Sequence, residues 1–163
     1  MINENLIPLT QQAYDKYKEE YDHLTKTARA DVIEKIGVAK SYGDLSENSE
    51  YDAAKEEQSK IENRIAEIEF ILKNHVIIDE TAITTDQITI GSFVKIVDIE
   101  LGVESEYQIV DAVEADPLSG KISKDSPVGK ALMGCKAGVE VAVEAPVGVI
   151  RVFVKEISNV EFA

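Results

Sequence analysis

Gly43-Asp44-Leu45-Ser46-Glu47-Asn48-Ser49-Glu50-Tyr51 is a short acidic turn set between two long helical patterns. The apolar positions on its two sides run toward each other: Ala39 matches Ala54, Ile36 matches Gln58, Val32 Ile61, Ala28 Ile65, Leu24 Ile68 and Tyr21 Leu72. The two residue numbers of each pair add to about 93, as they must when antiparallel helices face each other across one seam. The chain therefore folds back near residue 46, and the turn lies at the end of a helical hairpin. Two carboxylates, Asp44 and Glu47, are carried there, away from any core that would account for them.

Working outward, the first arm has apolar residues at 14, 17, 21, 24, 28, 32, 36 and 39, steps of three and four that define one sticky stripe. The longer steps at 28–32–36 read as a stutter, a local relaxation of the supercoil. Thr10, after Pro8, is the expected N-cap. The second arm repeats at 54, 58, 61, 65, 68, 72 and 76, interrupted only by Gln58. A helix of roughly 30 residues spans roughly 45 Å, and the remaining faces are rich in Glu and Lys, as solvated helices are.

After Asn74 the period changes. Val76-Ile77-Ile78 and Ile88-Thr89-Ile90 are β-branched, and short alternating segments follow at Phe93–Ile99, Glu106–Val113, Val139–Val143 and Val149–Ile157. Pro146-Val147-Gly148 reads as the turn between the last two. Ser126-Pro127 opens a short helix to Met133, with serine as cap and proline in the first turn. Strands with one small helix make a compact α+β domain, behind an N-terminal antiparallel hairpin.

The whole chain has 163 residues, enough for one large domain or two small ones. No stretch of 18 apolar residues and no basic-then-apolar leader occurs, so neither a membrane span nor a signal peptide is expected. One cysteine, Cys135, excludes an internal disulfide and fits a reducing cytoplasm. His23 and His75 have no partner at metal-ligand spacing. The formal net charge is -14, split evenly between the two halves. That excludes a protein that grips nucleic acid by bulk electrostatics. If the chain acts on nucleic acid, something else holds it.

Two bland readings compete for the acidic turn. Acids and polar residues before a helix satisfy its free N–H groups, and Ser46, Asn48 and Ser49 are all acceptable caps. Asp44-x-Ser46-x-Asn48-x-Glu50 also mimics the start of a calcium loop. That loop fails at its sixth position, Ser49 in place of glycine, and at its twelfth, Lys55 in place of a bidentate acid. The functional reading is two open carboxylates on a narrow probe, able to complete the coordination of a Mg²⁺ partly held by a partner.

The turn and the following Ala53-Ala54-Lys55-Glu56-Glu57-Gln58 resemble the signature of the bacterial Gre transcript-cleavage factors. The resemblance continues through Arg64-Ile65, Val76-Ile77-Ile78-Asp79, Gly91-Ser92 and Tyr107-Gln108-Ile109-Val110. It ends with Glu114-Ala115-Asp116, Gly120-Lys121-Ile122-Ser123 and Ser126-Pro127-Val128-Gly129-Lys130-Ala131-Leu132-Met133-Gly134. It implies an antiparallel coiled coil over residues 1–78, with its acidic tip at 43–51, and an FKBP-like, polymerase-docking α+β domain over 79–163. It further implies a coiled coil that enters the secondary channel of bacterial RNA polymerase. There Asp44 and Glu47 help hold a Mg²⁺ and its attacking water while the polymerase cuts the 3′ end of a backtracked RNA. By the same resemblance Lys40 and Lys55 contact the RNA, Asn48 and Tyr51 support the tip, and Asp125, Ser126 and Pro127 dock on the polymerase.

Some positions depart from the family pattern. Ala13 stands where glycine is usual, Arg29-Ala30 replaces arginine-proline, and Cys135 replaces a common lysine and is expected to be a buried thiol. The expected protein is a monomer that binds no cofactor alone and is no enzyme itself. The alternative is a channel-binding inhibitor of the same shape, against which the intact Asp44 and Glu47 argue. A prolyl isomerase is disfavoured because the second half has no Trp and only Phe93 and Phe153 before the end of its last strand. A stand-alone nuclease is disfavoured because two carboxylates on a thin tip cannot shape a metal site unaided.

Overall fold

The computed structural model describes residues 5–44 and 48–163. They form two compact units: one is Gln12–His75 with Asn5, the other Val76–Ala163 together with Leu6–Gln11. The sequence reading grouped all of residues 1–78 in the coiled-coil domain, whereas Leu6–Gln11 and residues 76–78 fall in the second unit.

The first unit is the expected antiparallel hairpin. Its first arm joins α1 (Gln11–His23), a π-helical segment (Leu24–Ala28) and α2 (Arg29–Ser41) on one continuous helical backbone. The second arm is α3 (Ser49–Lys73), 25 residues long, or about 38 Å. Val32, Ile61 and Ile65 pack together under Tyr21, Leu24 and Ala28. Ile36, Ala39, Ala54 and Ile68 extend the buried seam. The irregularity expected at 28–32–36 sits one turn earlier, as the π segment. A π turn takes in one extra residue, so the apolar stripe can advance in steps of four without drifting off the seam. At the far end of α3 the structure buries Ile71 and leaves Leu72 half-exposed, while Val76 is exposed.

Ion pairs across the hairpin fix the register. Arg29 makes a two-pronged contact with Glu62, at 2.8 and 2.9 Å, and Lys35 reaches Glu57 at 3.0 Å. Such exposed pairs contribute little to stability, but they identify which flanks of the two helices meet. Arg29 and Glu62 each follow a seam residue (Ala28, Ile61), and Lys35 and Glu57 each precede one (Ile36, Gln58). In an antiparallel hairpin the followers share one flank and the preceders the other.

The second unit is a curled mixed sheet with a helix. The strands β1 (Ile7–Leu9) and β2 (His75–Ile77) pair as a small separate sheet, and the Ile78 N–H donates to the Leu9 carbonyl at 2.8 Å. The main sheet contains β3 (Phe93–Asp98), β4 (Glu104–Val110), β5 (Lys121–Ser123), β6 (Glu140–Ala145) and β7 (Gly148–Ser158), in the order β5-β4-β3-β7-β6. All neighbours are antiparallel except β4 and β5. A bulge between Lys95 and Ile96 shifts the β3–β7 register and increases the local twist. The core joins Ile88, Val94, Ile96, Ile109, Val143, Val152, Val154 and Ile157 with Leu132 of α4 (Pro127–Leu132). Ile88-Thr89-Ile90 is strand-like in composition but lies outside the strands. Ile88 is nonetheless fully buried and exchanges backbone hydrogen bonds with Gly134 and Cys135.

At the edges of this unit one detail adds to the sequence reading and one departs from it. The Thr10 hydroxyl and N–H both donate to the buried Glu114 carboxylate, at 2.5 and 3.2 Å, and Lys121 approaches the same group at 3.4 Å. Thr10 thus ties the entrance of α1 to the turn that carries Glu114. Cys135 is half-buried, with its thiol donating to the Ala131 carbonyl at 3.2 Å.

Candidate functional site

At the hairpin end, α2 closes with Tyr42, whose N–H reaches the carbonyls of Ala39 and Lys40. Gly43 follows at φ +110, a conformation that side-chain-bearing residues rarely adopt. Asp44 comes next, exposed, in a shallow recess of about 400 Å³ shared with Tyr42, Asn48, Ser49 and Glu50. Leu45, Ser46 and Glu47 lie outside the described residues, so of the two expected tip acids Asp44 alone has a described position.

Asn48 answers the question of which residue caps α3. Its side-chain oxygen accepts from the Tyr51 N–H at 3.1 Å, and its amide nitrogen donates to the Ala39 carbonyl at 2.6 Å. One side chain therefore fills the N-terminus of α3 and ties it to the last turn of α2. Asn48 is thus the cap that the three candidates Ser46, Asn48 and Ser49 left open. Glu50 and Asp52 in the first turn of α3 suit its dipole. Tyr51, also expected near the tip, is half-buried.

Lys40 and Lys55 are exposed, and each follows a buried seam alanine, Ala39 and Ala54. They therefore share the flank that Arg29 and Glu62 mark. Lys55 donates to the Gln58 amide at 3.0 Å. On the opposite flank, along the stretch nearest the turn, Asp31, Glu34, Glu50 and Glu57 stand with Lys35.

In the second unit, Ser126 caps α4 as expected. Its hydroxyl accepts from the Gly129 N–H at 3.0 Å and donates to the Ser123 carbonyl at 2.7 Å. Pro127 occupies the first turn. Asp125 and Pro127 are exposed and line a recess of about 340 Å³ with Lys130, Ala131, Ala142 and Glu144. Gly129 makes this packing possible, because a Cβ there would stand 2.0 Å from the Ser123 carbonyl oxygen. Among the described residues no group of three His, Cys, Asp or Glu side chains could hold a metal ion. Among them, too, no helix is long and apolar enough to cross a membrane.

Two features escaped the sequence. The donor half of Asn48 depends on Ala39 coming within reach across the turn. The buried Thr10–Glu114–Lys121 cluster joins residues more than a hundred positions apart, and only the strangeness of an acid beside apolar Val113 and Ala115 hinted at it.

Fold and site together define a class: a two-part accessory protein with an acid-ended helical hairpin and a curled-sheet domain. The description "transcription elongation factor, N-terminal" of the GreA/GreB family matches residues 7–77, and "transcription elongation factor, GreA/GreB, C-term" matches residues 83–159. The chain belongs to the GreA/GreB family of transcription elongation factors. It is 51% identical to transcription elongation factor GreA of Thermoanaerobacter pseudethanolicus over 91% of this chain and 95% of that one. It is also 51% identical to GreA of Clostridioides difficile, over 91% and 94%. A crystal structure of the GreA factor homolog Gfh1 from Thermus thermophilus is 28% identical, covers 94% of this chain and 99% of its own, and superposes with a TM-score of 0.44.

Proposed function

We propose that this elongation factor inserts its hairpin into the secondary channel of bacterial RNA polymerase and stimulates the polymerase's own cleavage of backtracked RNA 3′ ends, rescuing arrested complexes. The observation that supports this reading is Asp44: an exposed carboxylate at the hairpin end, in a recess shared with Tyr42, Asn48, Ser49 and Glu50.

In this reading Asp44 and Glu47 would hold a Mg²⁺ shared with the polymerase active site, and the bound ion supplies an activated water. Two carboxylates are too few ligands to retain Mg²⁺ alone, so the factor is inert without its partner and is not itself an enzyme. Asn48 and Tyr51 position the acids. Lys40 and Lys55, on one flank, meet the phosphates of the extruded RNA. Asp125, Ser126 and Pro127 present the second unit to the polymerase surface. The protein acts as a monomer in the cytoplasm, since a closed intramolecular hairpin already buries its own seam.

The test is a stalled elongation complex with 3′-end-labelled RNA and Mg²⁺, to which the protein is added. Release of short labelled fragments is expected. Asp44→Asn or Glu47→Gln is expected to slow cleavage by about a hundredfold while polymerase binding persists. Full cleavage by both variants would remove the metal role. Tight binding of the unsubstituted protein without any cleavage would make it a channel-plugging inhibitor.

A further inference from the structure

The hairpin has two unlike flanks. On the flank opposite Lys40 and Lys55 runs an open groove of about 740 Å³, floored by Ala53 and Ala54 with Val38 beside them. Its rim carries Asp31, Glu34, Glu50 and Glu57. The rim lysine, Lys35, is 3.0 Å from Glu57 and neutralises that acid. Val38 is 48% exposed, an unusual position for a valine on a slender two-helix rod. The groove thus offers small side chains that admit close approach and acids that repel phosphate but attract lysine and arginine.

We infer that this groove is a docking surface for a basic polypeptide segment of the polymerase, seated between Val38 and Ala53 with its Lys or Arg side chains against Asp31, Glu34 and Glu50. The charge pattern selects the occupant: nucleic acid is excluded from this flank and accommodated on the other. The hairpin therefore has a fixed rotational setting about its own axis when bound, acidic groove toward protein and Lys40 and Lys55 toward RNA. The inference rests on the polymerase-binding reading above and adds the face by which the hairpin is held.

The experiment compares the unsubstituted protein with Asp31→Asn/Glu34→Gln for affinity to stalled polymerase at several salt concentrations, and for cleavage at saturating factor. Circular dichroism confirms equal helicity. The double variant is expected to bind about tenfold more weakly with a shallower salt dependence, yet to cleave at the unsubstituted rate once saturated. A photo-crosslinker replacing Ala53 is expected to label a polymerase peptide rich in Lys or Arg. Unchanged affinity and salt dependence, or a crosslink to RNA, would overturn the inference while leaving the cleavage reading intact. So would a dimer of the free protein that the double substitution dissociates, which would assign the groove to a second copy. Failure of the unsubstituted protein to bind polymerase would overturn both.

Discussion

Asn48 shows how one amide can join both sides of a turn. Its oxygen takes a free N–H of α3 and its nitrogen takes a late carbonyl of α2, so the two arms are joined at the point where Asp44 is presented. Asn48→Asp keeps the acceptor and loses the donor. Asn48→Ala loses both. Urea unfolding is expected to show losses of about 1 and about 2 kcal/mol respectively, with cleavage at saturation reduced in both and polymerase affinity retained. Two variants as stable and active as the parent would show that the bridge is dispensable. Glu62 offers a separate test of the register. Its hydrogen bond and ion pair with Arg29 hold its carboxyl below the ordinary value of 4.5, against a smaller opposing effect of desolvation. A carboxylate depressed in the folded state contributes stability that is complete above its unfolded pKa and is lost as the pH falls through its folded pKa. An NMR titration is expected to find Glu62 titrating below ordinary glutamates, and Arg29→Gln to return it upward. At this scale the sequence named Asp44, Glu47 and Asn48 through a motif, but the motif could not say that Asn48 alone takes the cap, because a cap is settled by which side chain reaches the first free N–H groups.

Among the elements, the hairpin was legible because its stripe repeats over many turns and because seam residues on two arms must match. The failures are local. From Ile68 both Ile71 and Leu72 lie one turn on, and periodicity cannot choose between positions i+3 and i+4. The π segment left a trace in the steps of four, which a supercoil stutter explains equally well from numbers alone. The three-residue strands β1, β2 and β5 are too short to show alternation, and β5 is specified by its pairing with β4 more than by its own residues. The small helix α4 was read correctly from Ser126-Pro127, yet the need for Gly129 appears only when the Ser123 carbonyl is in place. Gly129→Ala drives a methyl group into that carbonyl. It is expected to lower stability by about 1–3 kcal/mol in thermal or urea unfolding and to weaken polymerase binding, with the helicity of the hairpin unchanged. Normal stability would mean that α4 can shift without cost.

For the whole molecule, charge decides what it can approach alone. With a formal net charge of -14, it is repelled by free nucleic acid, and its exposed lysines are outnumbered by acids and do not outweigh that field. Fluorescence anisotropy with labelled single-stranded RNA is expected to detect no saturable binding at physiological salt without polymerase. Measurable binding would mean that the flank carrying Lys40 and Lys55 acts on its own. Division into a helical first part and an α+β second part was readable from the change of period after Asn74. The membership of Leu6–Gln11 was not, because it depends on a strand pairing across the full length of the hairpin and on Thr10 meeting Glu114. That pairing has a consequence for how such proteins can change. Since β1 and β2 pair and the hairpin leaves from one and returns to the other, the two arms are a long insertion between two paired strands. Equal additions to or deletions from both arms, in whole turns, would alter how far the acids reach while leaving the β1–β2 pairing and the sheet domain intact. Hairpin length would then be a dimension that inheritance can tune separately from the sheet domain.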